Sequence, residues 1–460
     1  MNYTDTIAAI STPHGKGGVA LIRISGDEAL SVAQKIFSAK LSQVEANTAV
    51  YGKIYMIQPN GEKCQIDDGI ATVYRAPRSF TGEDTVEICC HGGVLITQTV
   101  LTACFAAGAR QAEAGEFTRR AFVNGKLGLD SAEALGALLD AGTEAQMKLA
   151  RSGMSGTLSR KTDELYESLI EIVSEMRADI DFPDEDVSQM TPYELRERLV
   201  TVKDEVTRLA ATYSTGRAVR EGITTVICGA TNAGKSSIYN KMVGYDAAIV
   251  TDIEGTTRDV LTDTVSFGGV TLKLSDTAGL RSSDDPVEKI GIERSYSAID
   301  TAELILAVFD GSKDPGGEER ELVERIKSSK AYTVGVVNKA DLEMSKKAYD
   351  LAERLDAVVT VSAKSGEGLD RLAETVSSAF LDGSIDISRD AVVATARQYA
   401  ALTTAAEALG AALDTLDSGM PTDFVCSDAE VAVTRLAEVG GREAAEDIVG
   451  NIFSRFCVGK

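Results

Sequence analysis

The stretch GATNAGKSS, Gly229 to Ser237, constrains this chain more than any other. Its first eight residues fit G-x-x-x-x-G-K-[ST], a pattern that carries physical meaning only with a strand before it and a helix after it. Both are expected: TTVICG is apolar and β-branched, and the continuation SSIYNKMVG has helical composition. In that setting the loop amides and the helix N-terminus face a chain of phosphates, Lys235 neutralises the outer ones, and the Ser236 hydroxyl binds magnesium. Asn232, Ala233, Gly234, Lys235, Ser236 and Ser237 form the expected phosphate cradle.

Three further elements, in chain order, extend this match to a nucleotide site. DTAG (Asp276, Thr277, Ala278 and Gly279) closes the run VTLKLS, bringing a carboxylate near the metal and a glycine amide near the terminal phosphate. NKAD sets Asn338, Lys339 and Asp341 at the end of TVGVV. A carboxylate there accepts both hydrogen bonds that a guanine edge donates, and adenine has no such donor pair, so Asp341 selects GTP over ATP. SAK (Ser362, Ala363 and Lys364) follows the last apolar run and lines the base pocket. Each tetrapeptide alone would pass for a polar loop at a strand end; four in register would not.

Hydrolysis asks for more than binding. A glutamine after the DxxG glycine orients water in Ras-type switches, but Leu280 stands here and has no polar atom for that task. The following RSSDDPVEKIGIERS offers Asp284, Asp285, Glu288 and Glu293, and VTDIEGTTRD supplies an earlier switch loop with Thr257 as second magnesium ligand.

Around this core the pattern changes three times. Residues 1–126 mix strand-like VALIRISG and TVEICC with helix-like LITQTVLTACFAAGA, an α+β segment. Residues 127–216 read as helices: Leu165, Leu169, Ile172, Val173, Met176 and Ile180 keep helical spacing, DFPDED interrupts, and Leu195, Leu199, Val202, Val206 and Leu209 resume it. Residues 217–383 alternate strand and helix in the α/β, mostly parallel manner, and 384–460 return to Ala, Leu and Glu-rich helix. The economical account is one discontinuous α-helical domain interrupted by an inserted α/β P-loop GTPase domain of Ras-like type; two separate helical domains are the alternative.

Composition excludes several chemistries. Only His14 and His91 are histidines, too few for an easily assembled zinc site or histidine triad. Seven cysteines without a C-x-x-C read as reduced cytosolic thiols. No apolar run approaches a membrane span and MNYTDTIAAI lacks a cleavable leader, so the expected location is the cytoplasm, with no membrane partner. With 47 basic against 70 acidic side chains, the net charge of −23 repels phosphate backbones, so any RNA substrate would be held largely by a partner.

The blocks GGVALIRISG, SFTGED, GEFTRRAF, DFPDED, AIVTDIEGTTRD, DTAGLR, VEKIGIER and the final FCVGK resemble the tRNA modification GTPase MnmE (TrmE) family over essentially the full length. The resemblance implies an N-terminal folate-binding domain that also dimerises. It implies a homodimer working with an FAD-dependent partner of the MnmG/GidA type, as a heterotetramer or larger assembly. Together they add a carboxymethylaminomethyl- or aminomethyl-type group to carbon five of the wobble uridine of tRNA, using a tetrahydrofolate in its 5-formyl or methylene form. It further implies potassium at the phosphates, held by Asn232, Thr251, Ile253 and Thr256, with Thr251 and Thr256 counted among the GTP-binding residues. Glu288 becomes the water-orienting residue, which answers the Leu280 problem. The folate site maps onto Arg23, Glu83, Lys126 and Lys460: the cations suit a glutamate tail and a ring carbonyl, the carboxylate an aminopyrimidine edge.

Cys457 belongs to a motif the family places near that folate. It is a poor prenylation site, since Val-Gly-Lys follows it, and it is kept as a possible reactive thiol. The chain departs from the family at Thr231, where proline is usual, at Gly128, where aspartate is common, and at Gly136–Ala137, where an acidic residue often stands. Two rival readings remain: a regulatory RNA- or ribosome-assembly GTPase without modification chemistry, and a dimerisation scaffold with a fossil nucleotide site.

Overall fold

Two six-stranded sheets and a set of long helices make up the computed structural model, which describes residues 5–181, 190–245, 263–274, 298–441, 450, 452–454 and 456–459. By contacts the chain divides into two units: residues 1–136 together with 440–460, and residues 137–439. The last segment, expected as one helical piece from 384 to 460, is therefore shared between the units.

In the first unit the elements run β1 (Ile7–Ile10), β2 (Val19–Ser25), α1 (Ala29–Ile36), β3 (Thr48–Ile57), β4 (Lys63–Tyr74), β5 (Thr85–His91), α2 (Val94–Ala107), β6 (Arg110–Gln111), α3 (Glu116–Val123) and α4 (Leu129–Leu139). The sheet order is β3-β4-β5-β2-β1-β6, antiparallel except for the β1–β6 pair. Period-two alternation decides the faces: Ala20, Ile22 and Ile24 of β2 and Val86, Ile88 and Cys90 of β5 join the core with α1 and α2. Arg23 and Glu87, opposite each other in register, project from the other face. The C-terminal residues close against this sheet. Val458 bridges to Ala114, the Ser11 hydroxyl donates to the Gly459 carbonyl at 2.9 Å, and a Cβ on Gly459 (φ +102°) would meet the Ile10 carbonyl at 2.2 Å.

The second unit begins with α5 (Glu144–Met154), α6 (Thr157–Asp181), α7 (Pro192–Ala211) and α8 (Tyr213–Arg220). It continues through β7 (Ile223–Gly229), α9 (Lys235–Val243), β8 (Asp263–Phe267), β9 (Val270–Leu274), β10 (Leu304–Asp310), α10 (Gly317–Lys327), β11 (Tyr332–Asn338), α11 (Lys346–Ala352), β12 (Ala357–Thr360) and α12 (Leu369–Phe380). α13 (Ala396–Asp417) and α14 (Thr422–Gly440) complete it. The sheet order is β12-β11-β10-β7-β9-β8, parallel but for the β8–β9 hairpin.

The helical spacing read from the sequence holds: Leu165, Leu169, Ile172, Val173 and Met176 of α6 and Leu195, Leu199, Val202, Val206 and Leu209 of α7 are buried, with Ile180 partly buried beside them. They share one core with Leu402, Leu409 and Leu413 of α13 and Val425, Ala429 and Leu436 of α14. Helices from both sides of the α/β segment thus build one domain, and the segment is an insertion. Its two ends meet, as an insertion requires: the Asp382 amide donates to Thr215 Oγ1 at 2.9 Å, and the Val393 amide donates to Thr212 Oγ1 at 3.0 Å. Capping boxes at Thr191 with Glu194 and at Thr395 with Gln398 set the starts of α7 and α13.

Candidate functional site

Strand polarity builds the nucleotide site. β7, β10, β11 and β12 run parallel, so the loops after β7, β11 and β12 gather at one edge of the sheet. The loop after β7 turns through Asn232, at φ 64°, and Gly234, at φ 101°. Asparagine and glycine are the residues that tolerate this left-handed backbone. A Cβ on Gly234 would lie 2.0 Å from Asn338 Nδ2. Ser236 and Ser237 stand exposed in the first turn of α9. The Lys235 ammonium donates to the carbonyls of Gly229 and Ala230, both at 3.0 Å, which places it over the loop that phosphates would fill.

NKAD and SAK are joined to that loop by hydrogen bonds. Asn338, 2% exposed, donates from Nδ2 to the Ala233 carbonyl at 2.9 Å and accepts from the Ala363 amide at 3.0 Å. The buried Ser362 hydroxyl donates to Asp341 at 2.8 Å and holds that exposed carboxyl below the usual carboxylate range. Asp341 is thereby an oriented acceptor at the place where a guanine edge would arrive. Lys364 is exposed beside it. Lys339, at φ 68°, ties its ammonium to Asp310 at 2.6 Å. Burial pushes the Asp310 carboxyl up, but Lys339 and Ser312 outweigh burial and hold it down. Asp310 was missed by the motif reading, although an aspartate ending the otherwise apolar LILAVFD could have drawn attention to it. The donor set fits GTP: a glycine-turned amide loop, a lysine, a serine at the helix start, and an oriented carboxylate.

Thr251, Ile253, Thr256, Thr257, Asp276, Thr277, Ala278, Gly279, Glu288 and Lys460 lie outside the described residues.

In the first unit, the loop from Pro77 to Glu83 gathers the remaining three folate candidates. Arg23 pairs with Glu87 at 2.8 Å, and its guanidinium lies 5.4 Å from the Phe80 ring and 5.6 Å from the Phe117 ring. Lys126 donates to the Pro77 carbonyl at 2.9 Å. Glu83 accepts from Ser25 Oγ at 2.8 Å and from Arg120 Nη1 at 3.2 and 3.3 Å. Glu83 thus has three acceptor positions occupied, and Phe80 of the same loop is exposed. Ser25, Thr81 and Arg120 were not singled out by sequence; Arg120 sits within GEFTRRAF, and only its burial reveals its importance. Cys457 is exposed, as is Cys64, whereas burial pushes the thiols of Cys90, Cys104 and Cys228 up to about 12.

Among the described residues no helix is long and apolar enough to cross a membrane. Residues 6–126 match the model of the GTP-binding protein TrmE N-terminus, and residues 129–457 match that of the MnmE helical domain. The tRNA modification GTPase MnmE of Symbiobacterium thermophilum is 43% identical over 99% of both chains. Those of Lactiplantibacillus plantarum and Ligilactobacillus salivarius are 41% and 39% identical over 99% of this chain and 98% of theirs. A match of this extent, over a nucleotide edge whose motifs are hydrogen-bonded to one another, establishes that the chain belongs to the MnmE (TrmE) family of tRNA modification GTPases.

Proposed function

We propose that this chain, a GTP-hydrolysing enzyme of that family, uses the cycle of its nucleotide edge to order a site for tRNA modification at the wobble uridine. The observation that supports it most is the Asn338 link between the phosphate loop and the base-reading loop, which gives the nucleotide a wired path into the protein. The chain's own residues would act as follows. Lys235 holds the outer phosphates, Ser236 and Thr257 hold magnesium, Asn232 with Thr251, Ile253 and Thr256 holds potassium, and Glu288 orients the attacking water. The bound cations supply positive charge where the β–γ bridge gains negative charge.

The folate reading rests on Arg23, Glu83 and Lys126 bordering one loop, with Lys460 as the fourth residue. Working as a homodimer in the cytoplasm with an FAD-dependent partner that carries most of the tRNA contact, the chain would support transfer of a folate one-carbon unit to uridine carbon five. The four expected segments, 1–126, 127–216, 217–383 and 384–460, then serve folate binding, helical support, GTP turnover and helical support again, with the last part of the fourth, from residue 440, belonging to the folate-binding unit.

Purified chain, a flavin-dependent partner, a tetrahydrofolate donor, an amine, GTP and unmodified tRNA should together yield a uridine product found by nucleoside mass spectrometry. Absence of any uridine product, or GTPase activity with no folate binding at all, would favour the regulatory reading; product formation that is indifferent to GTP hydrolysis would detach the nucleotide cycle from the modification.

A further inference from the structure

A lysine of the nucleotide edge has its charge taken up by a residue outside the motifs. Asp310 ends β10, opposite Asn338 in the parallel register with β11, and is 8% exposed. Ser312 fixes one of its oxygens twice, donating to Oδ1 from its amide at 3.1 Å and from its hydroxyl at 2.6 Å. Oδ2 is left for Lys339, whose ammonium donates to it at 2.6 Å, with the exposed Lys313 ammonium 3.9 Å away. The loop that carries Asp310 is itself tied to NKAD: the Gly311 amide donates to the Asn338 carbonyl at 2.9 Å, and a Cβ on Gly311 would lie 2.6 Å from that carbonyl oxygen. The carboxylate therefore keeps its place beside the lysine it holds.

Without that hold, Lys339 has another acceptor within its own motif. Asp341 stands two positions on, exposed, and accepts from the Ser362 hydroxyl on Oδ1 at 2.8 Å. The Ser362 hydrogen bond is the main cause that holds the Asp341 carboxyl down against burial, and the charges of Lys364 and Lys339 add to it, so the lysine lies within electrostatic reach. An ammonium on a flexible four-carbon stem can turn to a carboxylate two residues away. A lysine settled on Asp341 would occupy lone pairs that the guanine N–H edge needs.

We infer that Asp310 is a positioning residue that keeps Lys339 off Asp341 and so leaves the base-reading carboxylate open for guanine. The inference rests on the reading of Asp341 as the guanine acceptor. With Asp310 as the standing partner of the lysine, the nucleotide meets an Asp341 that need not first be released from an ion pair. Such an effect falls on association: a site that is closed part of the time captures its ligand more slowly, whereas a bound nucleotide leaves at its usual rate. Simple steering predicts the reverse, because removing a carboxylate from the edge should draw an anionic nucleotide in faster.

The test follows a ribose-labelled fluorescent GDP binding to and leaving the full-length chain by stopped flow. Asp310→Asn keeps an oxygen for Ser312 and loses the charge that holds Lys339; it should slow association by about 5-fold, the scale of an exposed ion pair, and leave dissociation unchanged. Adding Lys339→Met, which keeps a stem of similar length and removes the ammonium, should bring association back toward the wild-type rate. Association in Asp310→Asn as fast as wild type or faster, or a slow rate that Lys339→Met does not relieve, would overturn the inference while leaving Asp341 as the base reader. Faster dissociation with unaltered association would do the same, since it marks a loosened pocket. Wild-type GDP affinity in Asp341→Asn would overturn the reading of Asp341, and the inference with it. Should melting curves show that Asp310→Asn fails to fold, Ser312→Ala carries the test: it frees the Asp310 carboxylate to turn, and should slow association in a way that Lys339→Met again relieves.

Discussion

Asn338 and Ala233 are separated by 105 positions in the chain, yet the Asn338 amide donates to the Ala233 carbonyl at 2.9 Å and so fastens the base-reading loop to the phosphate loop. Truncation to alanine strands two buried backbone groups, the Ala233 carbonyl and the Ala363 amide. Each unpaired group costs about 1–3 kcal/mol. Asn338→Ala should therefore weaken guanine nucleotide binding by about 100-fold or more and lower the melting temperature, as read by fluorescent-nucleotide titration and calorimetry. Wild-type affinity in this variant would mean that the two loops hold their places independently.

Gly234→Ala should injure the same site by another route. The added Cβ would stand 2.0 Å from Asn338 Nδ2, on a backbone at φ 101° that disfavours any side chain. Nucleotide binding should be lost while the helical core, which lies away from the loop, keeps its far-ultraviolet circular dichroism. Retained binding would show that the loop has a second usable conformation.

Asp341→Asn should exchange the preferred base. The Ser362 hydroxyl already orients this side chain, and an amide in its place can donate where the carboxylate only accepts. GTP affinity should fall by about 100-fold, and xanthosine triphosphate, which carries a carbonyl where guanine carries its amine, should bind the variant better than GTP does. Competition titration reads both numbers; an unchanged preference for GTP would remove Asp341 from base recognition.

Potassium should speed GTP hydrolysis relative to sodium at matched ionic strength, with the difference lost in Asn232→Ala. Glu288→Ala should keep GTP binding and lose turnover. Equal rates in the two salts would detach Asn232 from cation binding, and unchanged turnover in Glu288→Ala would require another residue to orient water.

Glu116 should make the first unit sensitive to acid. Its fully buried carboxyl is pushed up by burial, but the Arg110 guanidinium, the Glu113 amide and Arg120 outweigh that and hold its pKa below the ordinary value. A folded pKa lower than the unfolded one contributes stability that is fully present above about pH 4.3, the ordinary glutamate value, and is lost as pH falls through the lowered value. Glu116→Gln should destabilise the unit by about 3–5 kcal/mol at neutral pH, because it leaves two arginines underpaired, and should flatten the loss of stability below pH 4. Denaturant unfolding at several pH values measures both effects. A variant as stable as wild type would show that the arginines find other partners.

Much of this architecture was legible beforehand because it is local. GATNAGKSS, NKAD and SAK announce their positions through short-range spacing, and the amphipathic periods of α6 and α7 give the buried face directly, since helix geometry repeats every few residues. T-P-x-E at Thr191 likewise starts α7 with no help from elsewhere. What the sequence could not decide by itself depends on distance along the chain. That Asn338 would grip Ala233, that Lys339 would find Asp310, and that residues 452–459 would join the first unit are outcomes of packing. Arg120 is the sharpest case. By composition it is one more surface cation, and only the folding of Asp5, Glu83 and Glu116 around it turns it into a buried hub, because a charge can leave water only where tertiary structure supplies its partners.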